Sequence, residues 1–330
     1  MIDRINIRNF KSLRELTIED CKRVNLLIGR PNVGKSNILE ALALFSIPYL
    51  EKAENPSIQT LARLVHLPEL FFDGNMANAI EVKIDNSIHL ILERTSNEEL
   101  LVRFMKDDSL LDEYRFNRDL TLIPLKNPLL VGNSSSVGLL SYRYVPNVKH
   151  SSFGIAQLLP PTGGNLMEAL KQLPVLKEEA NRLLESYGLK LVFDNASQEL
   201  KAMKEKSDEI FLIPFTSLAD SLQRLLFYKS AIMSNHGKTI CLEEPETHTF
   251  PPYITSVVQD VINSEDNQFF VSTHSPYVVD ALMEALTDDL AIYFVKMSNG
   301  ETDVVRASDK DVQEIYDNGV DIFFNMESYL

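Results

Sequence analysis

Apolar and polar positions along this chain follow two rhythms, and the change between them divides it. Residues 2–8 alternate as a strand does, and Phe10-Lys11-Ser12-Leu13 predicts a turn after it. Val24-Asn25-Leu26-Leu27-Ile28 is a short apolar run ending at Gly29, as expected of a buried strand. From Ser36 to Phe45 the apolar residues 38, 39, 42 and 45 recur at helical spacing. Ala79–Ile84, Ile88–Arg94 and Leu100–Phe104 then alternate again, predicting an antiparallel meander.

The middle of the chain is less regular. Asn127 to Gly164 is rich in Gly, Ser, Asn and Pro and predicts loop around one strand, Leu139 to Val145. Residues 166–187 have helical periodicity, and the polar stretch 198–209 predicts an exposed helix end or a loop. Ile210–Pro214, Thr239–Leu242 and Gln268–Ser272 are short apolar runs separated by helix-like segments. That alternation predicts a parallel sheet with helices on its faces. Neither an internal repeat nor a heptad region is evident.

Composition narrows the class without naming a chemistry. Length allows one large domain or two small ones, and 45% hydrophobic with 24% charged residues is ordinary for a globular chain. No apolar run is long enough to cross a bilayer and the first residues lack a signal-peptide stretch, so a cytoplasmic protein with no membrane partner is the expectation. Cys21 and Cys241 cannot form a disulfide framework, and Cys241 reads as a small buried thiol. The net charge of −15 disfavours broad contact with a polyanion. Eleven acidic against three basic residues from Glu284 onward supply −8 of it, so a local basic groove elsewhere stays open.

Chemistry enters at Gly29-Arg30-Pro31-Asn32-Val33-Gly34-Lys35-Ser36, followed by Asn37. Glycines in such a loop let backbone N–H groups converge on phosphate oxygens while the next helix aims its N-terminus at them. Lys35 reaches the β- and γ-phosphates, and the Ser36 hydroxyl can ligate Mg²⁺. A chance match in a chain this long is on the order of one per cent. The loop letters are close to those of translation-type GTPases. Those need an Asn-Lys-x-Asp base reader and an Asp-x-x-Gly switch, and the sequence contains neither, which moves the expected nucleotide to ATP.

Two later strand ends carry matching groups. Thr239-Ile240-Cys241-Leu242 runs into Glu243-Glu244-Pro245-Glu246, placing consecutive carboxylates at the carboxyl edge of the predicted sheet. Glu243 is the candidate Mg²⁺ ligand, in place of the usual Asp, and Glu244 the candidate general base. Phe269-Phe270-Val271-Ser272-Thr273-His274 ends one strand–helix–strand interval later, and His274 is placed as a γ-phosphate sensor.

These residues, with Ile5-x-Ile7-x-Asn9-Phe10-Lys11-Ser12, resemble the ABC-type ATPases of the RecF/SMC/OLD branch, specifically AAA-like ATP-binding proteins often paired with nucleases in bacterial defence. The resemblance implies an α/β P-loop NTPase fold with a mixed central sheet, flanking helices and an antiparallel β subregion. It implies one domain over 1–330: a nucleotide-binding core from 1–78 and 210–283, an antiparallel region 79–150, a helical and loop insertion 151–209, and an acidic segment 284–330. Ser217-Leu218-Ala219-Asp220-Ser221-Leu222-Gln223-Arg224 occupies the place of the signature helix but lacks its glycines. Ser217, Ser221 and Gln223 are its candidate nucleotide contacts.

The resemblance further implies two ATP molecules sandwiched in a homodimer or larger homo-oligomer, with Glu246, Thr247 and His248 on the loop crossing the interface, and slow hydrolysis. SMC-type relatives insert a coiled coil that this sequence lacks. The 56 residues after His274 are too few for the nuclease domain of OLD-type relatives. Asp309, Asp311, Asp317 and Asp321 read as a solvated acidic face. Three roles follow: an ATP-driven switch controlling a separate effector, such as a nuclease or toxin in anti-phage defence; a RecF-like DNA-repair ATPase; or a non-hydrolysing nucleotide-binding scaffold.

Overall fold

The computed structural model describes residues 1–124, 137–148 and 154–329, so part of the predicted loop 127–164 lies outside the described residues. The chain divides into two compact units. The first comprises 1–141, 237–244 and 265–330, and the second 142–236 and 245–264.

The first unit holds two six-stranded sheets. One is antiparallel, in the order β2-β1-β4-β5-β6-β7, from β1 (Ile5–Phe10), β2 (Leu13–Ile18), β4 (Ile80–Ile84), β5 (Ile88–Arg94), β6 (Leu100–Lys106) and β7 (Ser109–Phe116). The meander is as its alternation predicts: Ile80, Val82 and Ile84 point inward, and Glu81 and Lys83 outward. β1 pairs with β4 as well as with β2, so the N-terminal hairpin extends the meander.

The other sheet is mixed, in the order β15-β14-β3-β13-β12-β8. Its members are β3 (Val24–Ile28), β8 (Leu139–Tyr142), β12 (Thr239–Glu243), β13 (Gln268–Ser272), β14 (Leu290–Ser298) and β15 (Glu301–Arg306). Parallel pairing joins β14 to β3, β3 to β13 and β13 to β12. Central β3 is buried at every residue, as a strand covered on both faces must be. Its one polar side chain, Asn25, donates to Lys22 and Phe269 carbonyls at 2.7 and 3.0 Å and accepts from the Lys22 N–H at 2.9 Å. Helix α1 (Lys35–Ala43) follows β3, and one apolar cluster unites its buried face, Phe45 just after it, and inward residues of both sheets such as Phe104 and Tyr293.

Several expectations need correction. The segment 284–330, expected as an acidic C-terminal segment apart from the nucleotide-binding core, contributes β14 and β15 to the mixed sheet, because Leu290–Val295 is an unbroken buried run. β8 joins the mixed sheet, not the antiparallel region. The predicted helix 166–187 is two helices, α2 (Leu166–Gln172) and α3 (Pro174–Glu185). The break falls at Leu173, which the following Pro174 holds in an extended conformation.

In the second unit the largest departure is a three-stranded antiparallel sheet, β11-β10-β9, built from β9 (Lys190–Asp194), β10 (Glu199–Lys206) and β11 (Glu209–Pro214). Residues 198–209, expected as helix end or loop, contain all of β10. Ile210–Pro214, expected in the parallel sheet, is β11. Leu200 and Ala202 are the buried members of β10, too few to reveal the strand among its charges. Helices α4 (Asp220–Met233) and α5 (Pro251–Asn263) complete this unit. The C-terminal helices of the first unit are α6 (Pro276–Ala285) and α7 (Asp309–Asp317). Among the described residues none of these helices is long and apolar enough to cross a membrane.

Candidate functional site

Three strands of the mixed sheet end together. The register sets Glu243 beside Ser272 and Ser272 beside Leu27, so Gly29, Glu244 and His274 leave one sheet edge in parallel. This edge is where helix N-termini and strand ends converge on ligands in α/β sheets.

The loop 29–36 is shaped from below by β14 and β15. A Cβ at Gly29 would lie 2.4 Å from the Val295 carbonyl oxygen. Gly34 has φ +103°, and a Cβ there would fall 2.0 Å from Thr302 Oγ1. Both positions therefore require glycine. Asn32 takes the left-handed conformation at φ 63°. Thr302 Oγ1 donates to the Val33 carbonyl at 2.9 Å and shares a 2.6 Å hydrogen bond with Ser12 Oγ. Asn37 Nδ2 donates to the same Ser12 oxygen at 2.6 Å. Asn37, expected among the nucleotide contacts, thus ties α1 to the turn after β1. Arg30 is exposed and pairs with Glu327 at 2.5 Å, while Pro31 is also exposed and Val33 buried.

Lys35 is buried, with Nζ donating to the Gly29 and Arg30 carbonyls at 2.8 Å each. Burial pushes its ammonium below the ordinary lysine value, and the carboxylates of Glu244 and Glu243 pull it back up. His274 Nε2 lies 3.4 Å from Glu244 Oε1. Burial lowers the imidazole's pKa, the Lys35 charge lowers it further, and Glu244 opposes both. Lys35, Glu244 and His274 therefore form one electrostatic group. The Glu244 backbone, at φ 41°, is held by its N–H donating to the Ser272 carbonyl at 3.0 Å.

Glu243 has a neighbour that the sequence did not suggest. Arg63 donates to its carboxylate, and Arg63 Nε also lies 3.5 Å from Glu40, a buried acid on α1 that takes a further ion pair from Lys11. Burial lowers the Arg63 pKa, but the hydrogen bond and charge of Glu243 outweigh it and the net shift is upward. Residues 53–78 have no periodicity from which this contact could be read, and Glu40 looks like a solvent position of an amphipathic helix.

In the second unit Ser217 closes a short 3₁₀ turn and is exposed, and Ser221 lies in the first turn of α4. Gln223 is buried and turned to its own unit: it donates to the Thr216 and Leu218 carbonyls at 3.3 and 2.8 Å and accepts from Tyr144 at 3.1 Å. Among the described residues no group of three or more His, Cys, Asp or Glu could hold a metal, which covers the four C-terminal aspartates. Cys21 and Cys241 are free thiols, and burial pushes both up in pKa, Cys21 to about 12.

The donor set suits a magnesium nucleotide: a buried ammonium, a helix N-terminus, a hydroxyl and paired acids on one edge. A family model described as the AAA ATPase domain matches residues 1–227. The chain belongs to the AAA ATPase domain family. Within this family member the match includes the phosphate loop and stops before Glu243, Glu244 and His274. An "ATP/GTP phosphatase" of Helicobacter pylori is 22% identical over 342 residues, covering 87% of this chain and 89% of that protein. "Uncharacterized protein MJECL10" of Methanocaldococcus jannaschii is 51% identical over 45 residues, 14% of this chain and 20% of that one.

Among solved structures, an Smc head bound to the C-terminal winged-helix domain of ScpA superposes with TM-score 0.54 at 15% identity, over 93% of this chain and 98% of that one. An Smc head with an extended coiled coil, bound to the C-terminal domain of ScpA derived from Pyrococcus furiosus, gives 0.51 at 14% identity, over 97% and 99%. At such identity the likeness establishes the fold. This AAA ATPase domain protein has the SMC-head-like fold, and its family match is that of an ATPase.

Proposed function

We propose that the protein is an ATP-hydrolysing switch that dimerises around two nucleotides and controls a separate effector protein, such as a nuclease or toxin in anti-phage defence. The observation that carries this reading is the convergence of Lys35, Glu244 and His274 on one sheet edge. Lys35 and the loop amides bind the β- and γ-phosphates and neutralise charge that develops on them, the largest expected catalytic contribution in phosphoryl transfer. Glu244 orients and deprotonates the attacking water, and His274, kept neutral, holds a hydrogen-bond position beside the γ-phosphate. Ser36 and Glu243 are the residues that would hold Mg²⁺, which when bound supplies a Lewis acid to the phosphate oxygens. Arg63 competes with the metal for Glu243, in keeping with slow turnover.

The dimer is supported by the signature segment. Ser221 lies in the first turn of α4 and Ser217 ends the 3₁₀ turn just before it, an end suited to contacting a phosphate held by a partner's loop. A partner protein as output is supported by the ScpA domains bound to the similar Smc heads, and hydrolysis by the name of the Helicobacter relative. The DNA-repair reading has less support, because the outer face of the antiparallel sheet alternates in sign. Arg8 pairs with Glu15, Arg103 with Glu93, and Arg115 with Glu113, leaving no basic stripe there.

The deciding experiment measures molecular mass by light scattering with and without Mg-ATP, for the wild type and Glu244→Gln. The switch predicts an ATP-dependent doubling or larger assembly that persists in Glu244→Gln. An unchanged mass in saturating ATP rejects it.

A further inference from the structure

Four charged side chains of the first unit run from the turn after β1 to the end of β12 and alternate in sign. Lys11 Nζ pairs with Glu40 Oε2, Arg63 Nε lies 3.5 Å from Glu40 Oε1, and the Arg63 guanidinium donates to Glu243. Glu40 stands on the buried face of α1 with its side chain 5% exposed, and the Lys11 side chain is 11% exposed. Charges this far from water persist when they are paired, and removing one member obliges its neighbour to pair elsewhere.

Lys11 and Glu40 also grip the main chain of Arg63. Glu40 Oε1 accepts from the Arg63 N–H at 3.3 Å, and Lys11 Nζ donates to the Arg63 carbonyl at 2.7 Å. Arg63 lies in neither helix nor strand, so these two bonds fix the point from which its guanidinium reaches out. Lys11 is itself held in the left-handed conformation at φ 50°, its N–H donating to the Leu70 carbonyl at 3.0 Å.

We propose that Lys11 and Glu40 are positioning residues that act through Arg63 to set how firmly Glu243 is kept from Mg²⁺, a role that rests on Glu243 being the Mg²⁺ ligand of the ATPase proposed above. Arg63 divides one guanidinium between two carboxylates, while Glu40 has two cations. The Lys11 ammonium compensates Glu40 and leaves Arg63 available to Glu243. Without that ammonium, Glu40 draws Arg63 toward α1 and Glu243 is released. Without the Glu40 charge, Lys11 repels Arg63, which among the described residues then has only the Glu243 ion pair left and holds it harder. The two substitutions act in opposite senses on one carboxylate, although each removes a charge from the same buried pair.

The experiment takes Mn²⁺ as the probe. Its affinity for the full chain saturated with a non-hydrolysable ATP analogue is read from the electron paramagnetic resonance of free Mn²⁺, so turnover does not enter the measurement. Lys11→Met should tighten Mn²⁺ about two- to fivefold and Glu40→Gln should weaken it about two- to fivefold, the range of a partly exposed ion pair. Lys11→Arg, which keeps the charge, should stay near wild type. In an Arg63→Ala background both shifts should disappear, because both pass through Arg63. Shifts of the same sign in Lys11→Met and Glu40→Gln overturn the proposal, as does either shift persisting in Arg63→Ala. Should Glu40→Gln fail to fold, equal affinities in Lys11→Met and Lys11→Arg overturn it as well. Glu243→Gln separates the two levels. An unchanged Mn²⁺ affinity there rejects Glu243 as the metal ligand, whereas a loss there without the opposed shifts defeats the positioning role alone.

Discussion

Arg63 donates to the carboxylate of Glu243 across 180 residues of chain, and the same arginine borders buried Glu40 on the helix after the phosphate loop. The acid expected to face the metal is therefore already engaged with a cation. Removing that cation should free Glu243. Arg63→Ala is expected to lower the Mg²⁺ concentration for half-maximal hydrolysis by up to about fivefold, the roughly 1 kcal/mol upper end for a partly exposed ion pair. Magnesium titration of phosphate release measures it, and an increased Mg²⁺ requirement would contradict the competition.

Lys35→Ala removes the buried ammonium from the loop. ATP affinity should fall roughly ten- to hundredfold, since one charged hydrogen bond is worth about 1.5–3 kcal/mol. Calorimetric titration with ATP reads this directly, with unchanged circular dichroism as the check that the overall fold survives.

Glu244→Gln retains shape and loses the base. Phosphate release should drop by about 10²–10⁴-fold with ATP affinity within a few fold of wild type, the range for a general base. Equal loss of affinity and turnover would move Glu244 from chemistry to binding.

His274 gives a pH test with a definite sign. Its folded pKa lies below the ordinary 6.5, so the fold disfavours the proton. The stability this contributes is complete above pH 6.5 and is lost as the pH falls through that value toward the folded one. NMR titration should place the imidazole midpoint below 6.5. Because Glu244 raises the value and Lys35 lowers it, Glu244→Gln should move the midpoint down and Lys35→Ala should move it up. Shifts in the opposite sense would dissolve the proposed electrostatic group.

Thr302→Val keeps the shape of the side chain but deletes the hydrogen bonds to Val33 and Ser12. A stability loss of about 1–3 kcal/mol is expected for buried partners left unmade. Denaturant unfolding measures it, and Thr302→Ser should recover most of it.

The parts of the site carried by local grammar were legible in the sequence. A run such as Val24–Ile28 closed by Gly29, or Thr239–Leu242 closed by two acids, states strand and strand end within a few residues. The inward alternation of Ile80, Val82 and Ile84 did the same for the meander. What escaped was tertiary. β10 hides its strand because only Leu200 and Ala202 face a core, and its charges face water. β14 is apolar enough to be seen, but the acidic residues around it set the reading of the whole segment. Arg63 and Thr302 have no local pattern at all. Each acquires its role from a residue more than a hundred positions away.

The wall behind the phosphate loop has a further consequence. Gly34 is compelled to be glycine by Thr302, a residue beyond the end of the family match at 227. A fragment ending after His274 would contain every recognisable motif and still lack the surface against which the loop is moulded. Supplying the β14–β15 hairpin as a separate polypeptide should then restore nucleotide binding by complementation, making the C-terminal hairpin a removable half of the protein's own nucleotide cradle.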